Sequence, residues 1–76
     1  MAKAYLKVLT KPGKERVVKK SLLEIKGVKS ADLTSGEQDI IATISGKNYE
    51  EILNLVVKRV RGIKEIERTI TNLILE

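Results

Sequence analysis

The chain predicts an α+β fold of the split βαβ kind, with four strands in one antiparallel sheet and two helices on one of its faces. Three observations carry that expectation. Apolar spacing switches between a period of two and a period near 3.6 in the order strand, helix, strand, strand, helix, strand. Glycine and proline fall between these segments, where turns and helix ends need them. The two halves also echo each other at an offset of 35 residues: Ile25-Lys26-Gly27-Val28-Lys29 recurs as Val60-Arg61-Gly62-Ile63-Lys64. Two strand–helix–strand halves joined by a hairpin near Gly36, with right-handed crossovers, give the ferredoxin-like arrangement.

The first strand is Ala4 to Thr10, β-prone and stopped by Lys11-Pro12-Gly13. Residues 14–26 then read as an amphipathic helix, because Val18, Leu22 and Ile25 fall at i, i+4 and i+7 among lysines and Arg16, with Gly27 at its end. Residues 28–35 are a second strand whose apolar members are Val28, Ala31 and Leu33. Ser35-Gly36-Glu37-Gln38-Asp39 is the hairpin turn, with Gly36 expected at positive φ. Ile40 to Ile44 is apolar on both faces, the pattern of a central strand, and ends at Ser45-Gly46.

Asn48 and Glu51 have capping-box spacing, so the second helix starts there. Tyr49, Ile52, Leu53, Val56, Val57 and Val60 form its apolar stripe, and Gly62 ends it. Residues 63–75 alternate as a long last strand, with Ile66, Ile70 and Ile74 on one face and Thr69, Thr71, Leu73 and Leu75 on the other. Helices cover one side of such a sheet only. The far side is expected to carry Tyr5, Leu9, Thr69, Thr71, Leu73 and Leu75 as an apolar patch, and hence a dimer surface.

Composition narrows the function. With 76 residues the chain makes one domain, residues 1–76. A domain of that size buries only about 60% of its unfolded surface. There is no Cys and no His, so neither disulfides nor a thiolate or imidazole metal site can add stability, and oligomerisation is left as the usual remedy. The same absence removes the common catalytic nucleophile–base pairs, and no nucleophile elbow, P-loop or dinucleotide glycine pattern is present. Adjacent Glu50 and Glu51 diverge on a helix and cannot act as a carboxylate pair. An enzyme is not expected, nor is any cofactor. No apolar run is long enough to span a bilayer and Met1 to Tyr5 form no signal core, so no membrane association and a cytoplasmic location are expected.

The net charge of +5 is unevenly spread: residues 1–29 carry nine Lys or Arg against two Glu, and residues 30–76 carry six against eight Asp or Glu. The basic first helix reads as a solvated face, with weak phosphate contact as the alternative. The RNA-recognition motif shares this element order but stacks bases on aromatics of its central strands. Tyr5 is the one aromatic there, and direct sequence-specific nucleic-acid binding is not expected.

In the hairpin, Asp39 is either a turn residue facing water or an acceptor for an amine or backbone amides. The run Leu33-Thr34-Ser35-Gly36-Glu37-Gln38-Asp39-Ile40-Ile41-Ala42, the second helix with its Val60-Arg61-Gly62-Ile63 end, and Thr69 through Glu76 together resemble the C-terminal RAM domain of Lrp/AsnC transcription regulators. The shared features are a small residue–Gly–x–x–Asp hairpin, a Gly-Ile step after the helix, and a Thr-bearing last strand. The family's DNA-binding helix-turn-helix is absent here, so the resemblance is to a stand-alone RAM module.

That resemblance implies a dimeric α+β barrel made sheet to sheet, dimers assembled into rings, and an amino acid or similar small effector bound between dimers. Carried over by position, the effector contacts would be Gly36, Glu37, Gln38 and Asp39, with the Thr69 and Thr71 hydroxyls. It also implies mixing with Lrp-type regulators to modulate them. Two rivals stand beside it. One is a purely structural oligomer without an effector. The other is an ACT-like regulatory domain, which shares the element order and the Pro-Gly turn but usually has an apolar residue where Lys14 stands.

Overall fold

In the computed structural model, residues 1–75 are described; Glu76, the end of the last-strand run, lies outside the described residues. Strand β1 (Ala2–Thr10) has the alternation expected of a strand covered on one side: Ala2, Ala4, Leu6, Val8 and Thr10 are buried, while Lys3, Tyr5 and Lys7 are exposed on the other face. Lys11 to Lys14 then form a tight turn. Lys14 N–H donates to Lys11 O at 3.0 Å, Pro12 presets its own φ and Gly13 takes φ +77°, the type II geometry.

Helix α1 (Glu15–Leu23) buries Val18 and Leu22. It is shorter than the apolar spacing predicts, because the chain tightens after Leu23: Ile25 N–H reaches back only to Leu22 O, at 3.0 Å. Ile25 is nonetheless buried. Gly27, at φ +107°, then turns the chain into β2 (Val28–Leu33). A Cβ on Gly27 would lie 2.8 Å from Leu55 Cδ1, a side-chain end that can turn aside, so it is the positive φ that calls for glycine here.

Strand β3 (Ile40–Gly46) buries Ile40, Ala42, Ile44 and Gly46. Helix α2 (Tyr49–Leu55) is capped by Asn48, whose Oδ1 accepts from Glu51 N–H at 2.8 Å. The reciprocal bond differs from a strict capping box: Glu51 Oε1 accepts from Lys47 N–H at 3.1 Å, one residue earlier than the cap. The helix continues as a π-helical stretch over Val56–Val60, and β4 (Ile66–Ile74) closes the fold.

The sheet order is β2-β3-β1-β4 and every pairing is antiparallel. This is the predicted ferredoxin-like βαββαβ arrangement. One core lies between the sheet's inner face and the helices, built on Leu6, Val8, Ile40 and Ile44 against Val18, Leu22, Ile52, Val56 and Val60. The second helix divides the predicted stripe in two. Ile52, Val56 and Val60 face the core, whereas Tyr49, Leu53 and Val57 are exposed at 36%, 45% and 60%.

The last strand corrects the sequence reading. Antiparallel partners point to the same side, and Thr69, Thr71 and Leu73 pair with Val8, Leu6 and Ala4, all core-facing. They therefore lie on the helix side, while Arg68, Ile70, Asn72 and Ile74 share the open face with Leu9, Lys7, Tyr5 and Lys3. The cause is a bulge. Leu9 pairs with Arg68 but Thr10 pairs with Ile66, which leaves Glu67 as an extra residue and reverses the alternation beyond it. Leu75 lies beyond the strand and is 80% exposed.

A second bulge, at Lys29 between the pairs Val28↔Ile44 and Ser30↔Thr43, brings Val28 and Ala31 onto the same inner face despite their odd spacing. The open face is consequently mixed rather than an apolar patch. Across its middle runs the row Ser30, Thr43, Tyr5, Asn72, and beside it Asp32, Ile41, Lys7, Ile70. Among the described residues no helix is long and apolar enough to cross a membrane.

Candidate functional site

The hairpin between β2 and β3 is closed by its own polar groups. Thr34 N–H donates to Asp39 O at 2.9 Å, and the Thr34 hydroxyl donates to Gln38 O at 2.7 Å. Gly36 takes φ +147°, the positive φ its place in the turn calls for, and a Cβ there would meet nothing within 4 Å. The hairpin is also tied to the end of β1. Asp39 N–H donates to Val8 O at 2.9 Å, and Asp39 Oδ2 accepts from Thr10 N–H at 2.9 Å, with the Thr10 hydroxyl 3.4 Å away. Thr10 is buried, so its N–H needs this partner where the β1–β3 ladder runs out. The Asp39 carboxylate thus already works as a fastener: it accepts from a backbone amide, one of the two alternatives the sequence left open, and that amide belongs to this chain's own β1.

Beside the hairpin the open face of the sheet is hollowed into a cleft of about 300 Å³. Glu37 and Gln38 wall it from the hairpin, and Lys7, Leu9, Arg68 and Ile70 line it from β1 and β4. Its charged groups have both signs, and Leu9 and Ile70 supply apolar surface between them. The carboxylate of Glu37, the Gln38 amide and the two cations can therefore hold a small molecule that has a charged end and an apolar body.

The six residues predicted for the site do not share one surface. Glu37 and Gln38 enter the cleft, Gly36 and Asp39 form the hairpin behind them, and Thr69 and Thr71 lie on the helix side of β4. Thr69 borders a different hollow, of about 430 Å³, together with Arg61, Ile66, Glu67 and Arg68. Arg68 borders both hollows, as a long side chain on an edge strand can. Sequence reasoning missed Lys7 and Arg68. The outward parity of Lys7 on β1 was readable, but that of Arg68 depends on the bulge at Glu67.

The family model described as the Lrp/AsnC ligand binding domain matches residues 3–76. An uncharacterised HTH-type transcriptional regulator of Pyrococcus furiosus is 30% identical over 57 residues, covering 75% of this chain; the chain spans only 38% of that regulator. Among solved structures, a hypothetical protein of Pyrococcus horikoshii is 32% identical with TM-score 0.92, covering all of this chain and 93% of the other. The protein FFRP-DM1 is 29% identical with TM-score 0.93, at 99% and 100% coverage. A match over nearly every residue, joined to the same strand and helix order, settles the family: the chain belongs to the Lrp/AsnC ligand-binding domains.

Proposed function

We propose that the protein is an effector-sensing and oligomerisation module of the Lrp/AsnC type, which binds an amino acid or similar small metabolite and passes that state on through its assembly. The observation that carries this reading is the cleft beside the hairpin, in a chain whose family is a ligand-binding domain. Gly36 to Asp39 and the Thr69 and Thr71 hydroxyls remain the proposed contacts. Because the hairpin cleft and the two threonines lie on opposite faces of the sheet, one small ligand touches both sets only if a second subunit contributes one of them. That geometry favours binding between subunits.

Assembly is supported by the open face, where Tyr5 and Ile70 are 50% and 41% exposed and no helix covers them. In this reading a homodimer pairs sheet to sheet and rings are built from dimers. The module works in the cytoplasm, without direct sequence-specific nucleic-acid binding, and mixes with Lrp-type regulators that carry their own DNA-binding part. The HTH-type regulator relative supports that connection. A thermal-shift screen against the common amino acids, run with light scattering, tests the proposal. A ligand that binds the native state alone raises the melting temperature, by RT ln(1 + [L]/Kd) in free energy. The engagement of Asp39 with Thr10 favours one second reading, a structural oligomer whose hairpin is only a fastener. A screen in which no amino acid shifts the melting temperature selects it.

A further inference from the structure

We infer that the outward side of α1 is a docking surface for the phosphate backbone of duplex DNA, held by Arg16, Lys19 and Lys20 without regard to base sequence. Helix spacing creates the surface. Val18 and Leu22 fix which side of α1 meets the core. Arg16, Lys20 and Leu23 are exposed on the side away from it, with Lys19 half-buried beside them. Arg16 stands three and four residues before the two lysines, so the three cations are neighbours within about one turn, where like charges destabilise a helix. Together with Leu23 and Glu24 they line a shallow hollow of about 350 Å³. Three cations against one carboxylate leave it positive by two charges. Glu15, the acid at the start of the helix, is engaged elsewhere: its Oε2 accepts from Gly13 N–H at 3.2 Å, back in the turn. Exposed Lys14 and Lys26 continue the positive charge past each end of the helix.

This side of the molecule stays outside when the open face of the sheet is covered, because α1 packs on the other face. It is also a poor contact between copies, since a two-fold axis would set like charges against each other. A protein partner needs an apolar centre, and Leu23 is the apolar side chain that this hollow offers. A polyanion needs none. At about 1.5 Å per residue, the nine residues of α1 are about 13.5 Å long. Each strand of duplex DNA carries one phosphate per about 3.4 Å of axis, so that length faces several. A single strand is less suited, because such sites stack bases on aromatics and α1 has none. Phosphate contacts carry no base information, so the docking is blind to sequence. A chain of pI about 9.6 whose cations gather along one helix has the electrostatic footprint of such binding. The inference stands apart from the effector reading. In an assembly mixed with a DNA-binding regulator, α1 gives this chain its own grip on the same duplex.

Fluorescence anisotropy of the whole protein, in the assembly it adopts, with two labelled duplexes of unrelated sequence tests this. Both duplexes should bind with equal affinity, and log K should fall linearly with log salt by about 0.9 per phosphate contact. Three contacts make binding about fortyfold weaker at about 200 mM than at about 50 mM salt, and more if two subunits engage. Arg16→Gln combined with Lys20→Gln removes two contacts and should flatten the slope by about 1.8 for each α1 on the duplex. Lys58→Gln combined with Arg59→Gln removes the same charge from the π-helical stretch and should leave the slope unchanged. All four positions are exposed, so both variants should keep the wild-type circular dichroism and scattering mass. No binding at about 50 mM salt, a slope that ignores the α1 substitutions, or a preference for one sequence overturns the inference. So does tighter binding of single strands or of anionic vesicles. A fall in scattering mass confined to the α1 variant also overturns it, because α1 would then be a contact between subunits.

Discussion

Replacing Asp39 by alanine removes the acceptor of a buried backbone donor and little else. The Thr10 N–H loses its 2.9 Å bond to Oδ2, and the buried Thr10 hydroxyl keeps only Lys11 O as a close partner. A buried donor left unpaired costs about 1–3 kcal/mol. Because Asp39 is itself half-buried, water can reach part of the vacated space, and the lower part of that range, about 1–2 kcal/mol, is the expected loss. The whole stability of a 76-residue chain is about 4–11 kcal/mol, so this is a substantial share. At about 4–8 °C per kcal/mol for a domain of this size, Asp39→Ala should melt roughly 4–16 °C below wild type by circular dichroism. Asp39→Asn keeps an oxygen acceptor and should melt much closer to wild type. A melting temperature for Asp39→Ala within about 2 °C of wild type would refute the reasoning, because the donor would then have found another partner. The asparagine variant also separates the two roles of this residue. If Asp39 receives an effector ammonium, Asp39→Asn loses binding while the fold survives; if it binds effector normally, Asp39 is a fastener alone.

Asn48→Ala deletes the cap bond to Glu51 N–H and should cost about 1 kcal/mol, read from the denaturant midpoint at an unchanged slope. Gly27→Ala and Gly36→Ala each put a Cβ at a positive φ, and the Leu55 Cδ1 beside Gly27 can turn aside, so both should lose about 1–3 kcal/mol in a paired urea titration. A charge at Ile70, on the open face, should dissociate the oligomer in light scattering while leaving the circular dichroism spectrum folded. Leu73→Asp should instead unfold the subunit, because Leu73 packs against the core; two variants that behave alike would contradict the assigned faces.

Much of the fold was readable because it depends on local rules. Pro12 and Gly13 announce their turn, Asn48 its cap, and the change of period separates helix from strand. Helix length was less readable: the spacing of Ile25 fits both a continuing α-helix and the tighter turn that the chain adopts. The exposed stripe of Tyr49, Leu53 and Val57 could not be told from the core stripe beside it, since apolar residues occupy both. At the candidate site the hairpin stood out through its glycine and aspartate, both local signals. The fastening of Asp39 to Thr10 did not, because it joins residues 29 apart in the chain.

The faces of β4 were not readable from alternation alone, because the extra residue at Glu67 changes their parity part-way along the strand. Ile66 packs against the core at the start of β4. With strict alternation Arg68 would follow it onto the same side of the sheet. The extra residue at Glu67 lets Ile66 stay in the core and turns Arg68 out beside Lys7. It also turns Leu73 inward, where it packs, and leaves Ile70 and Ile74 on the open face. The extra residue thus reconciles an inward Ile66 with an outward Arg68 two positions further on. The same bulge decides that the cleft beside the hairpin is lined by two cations rather than one.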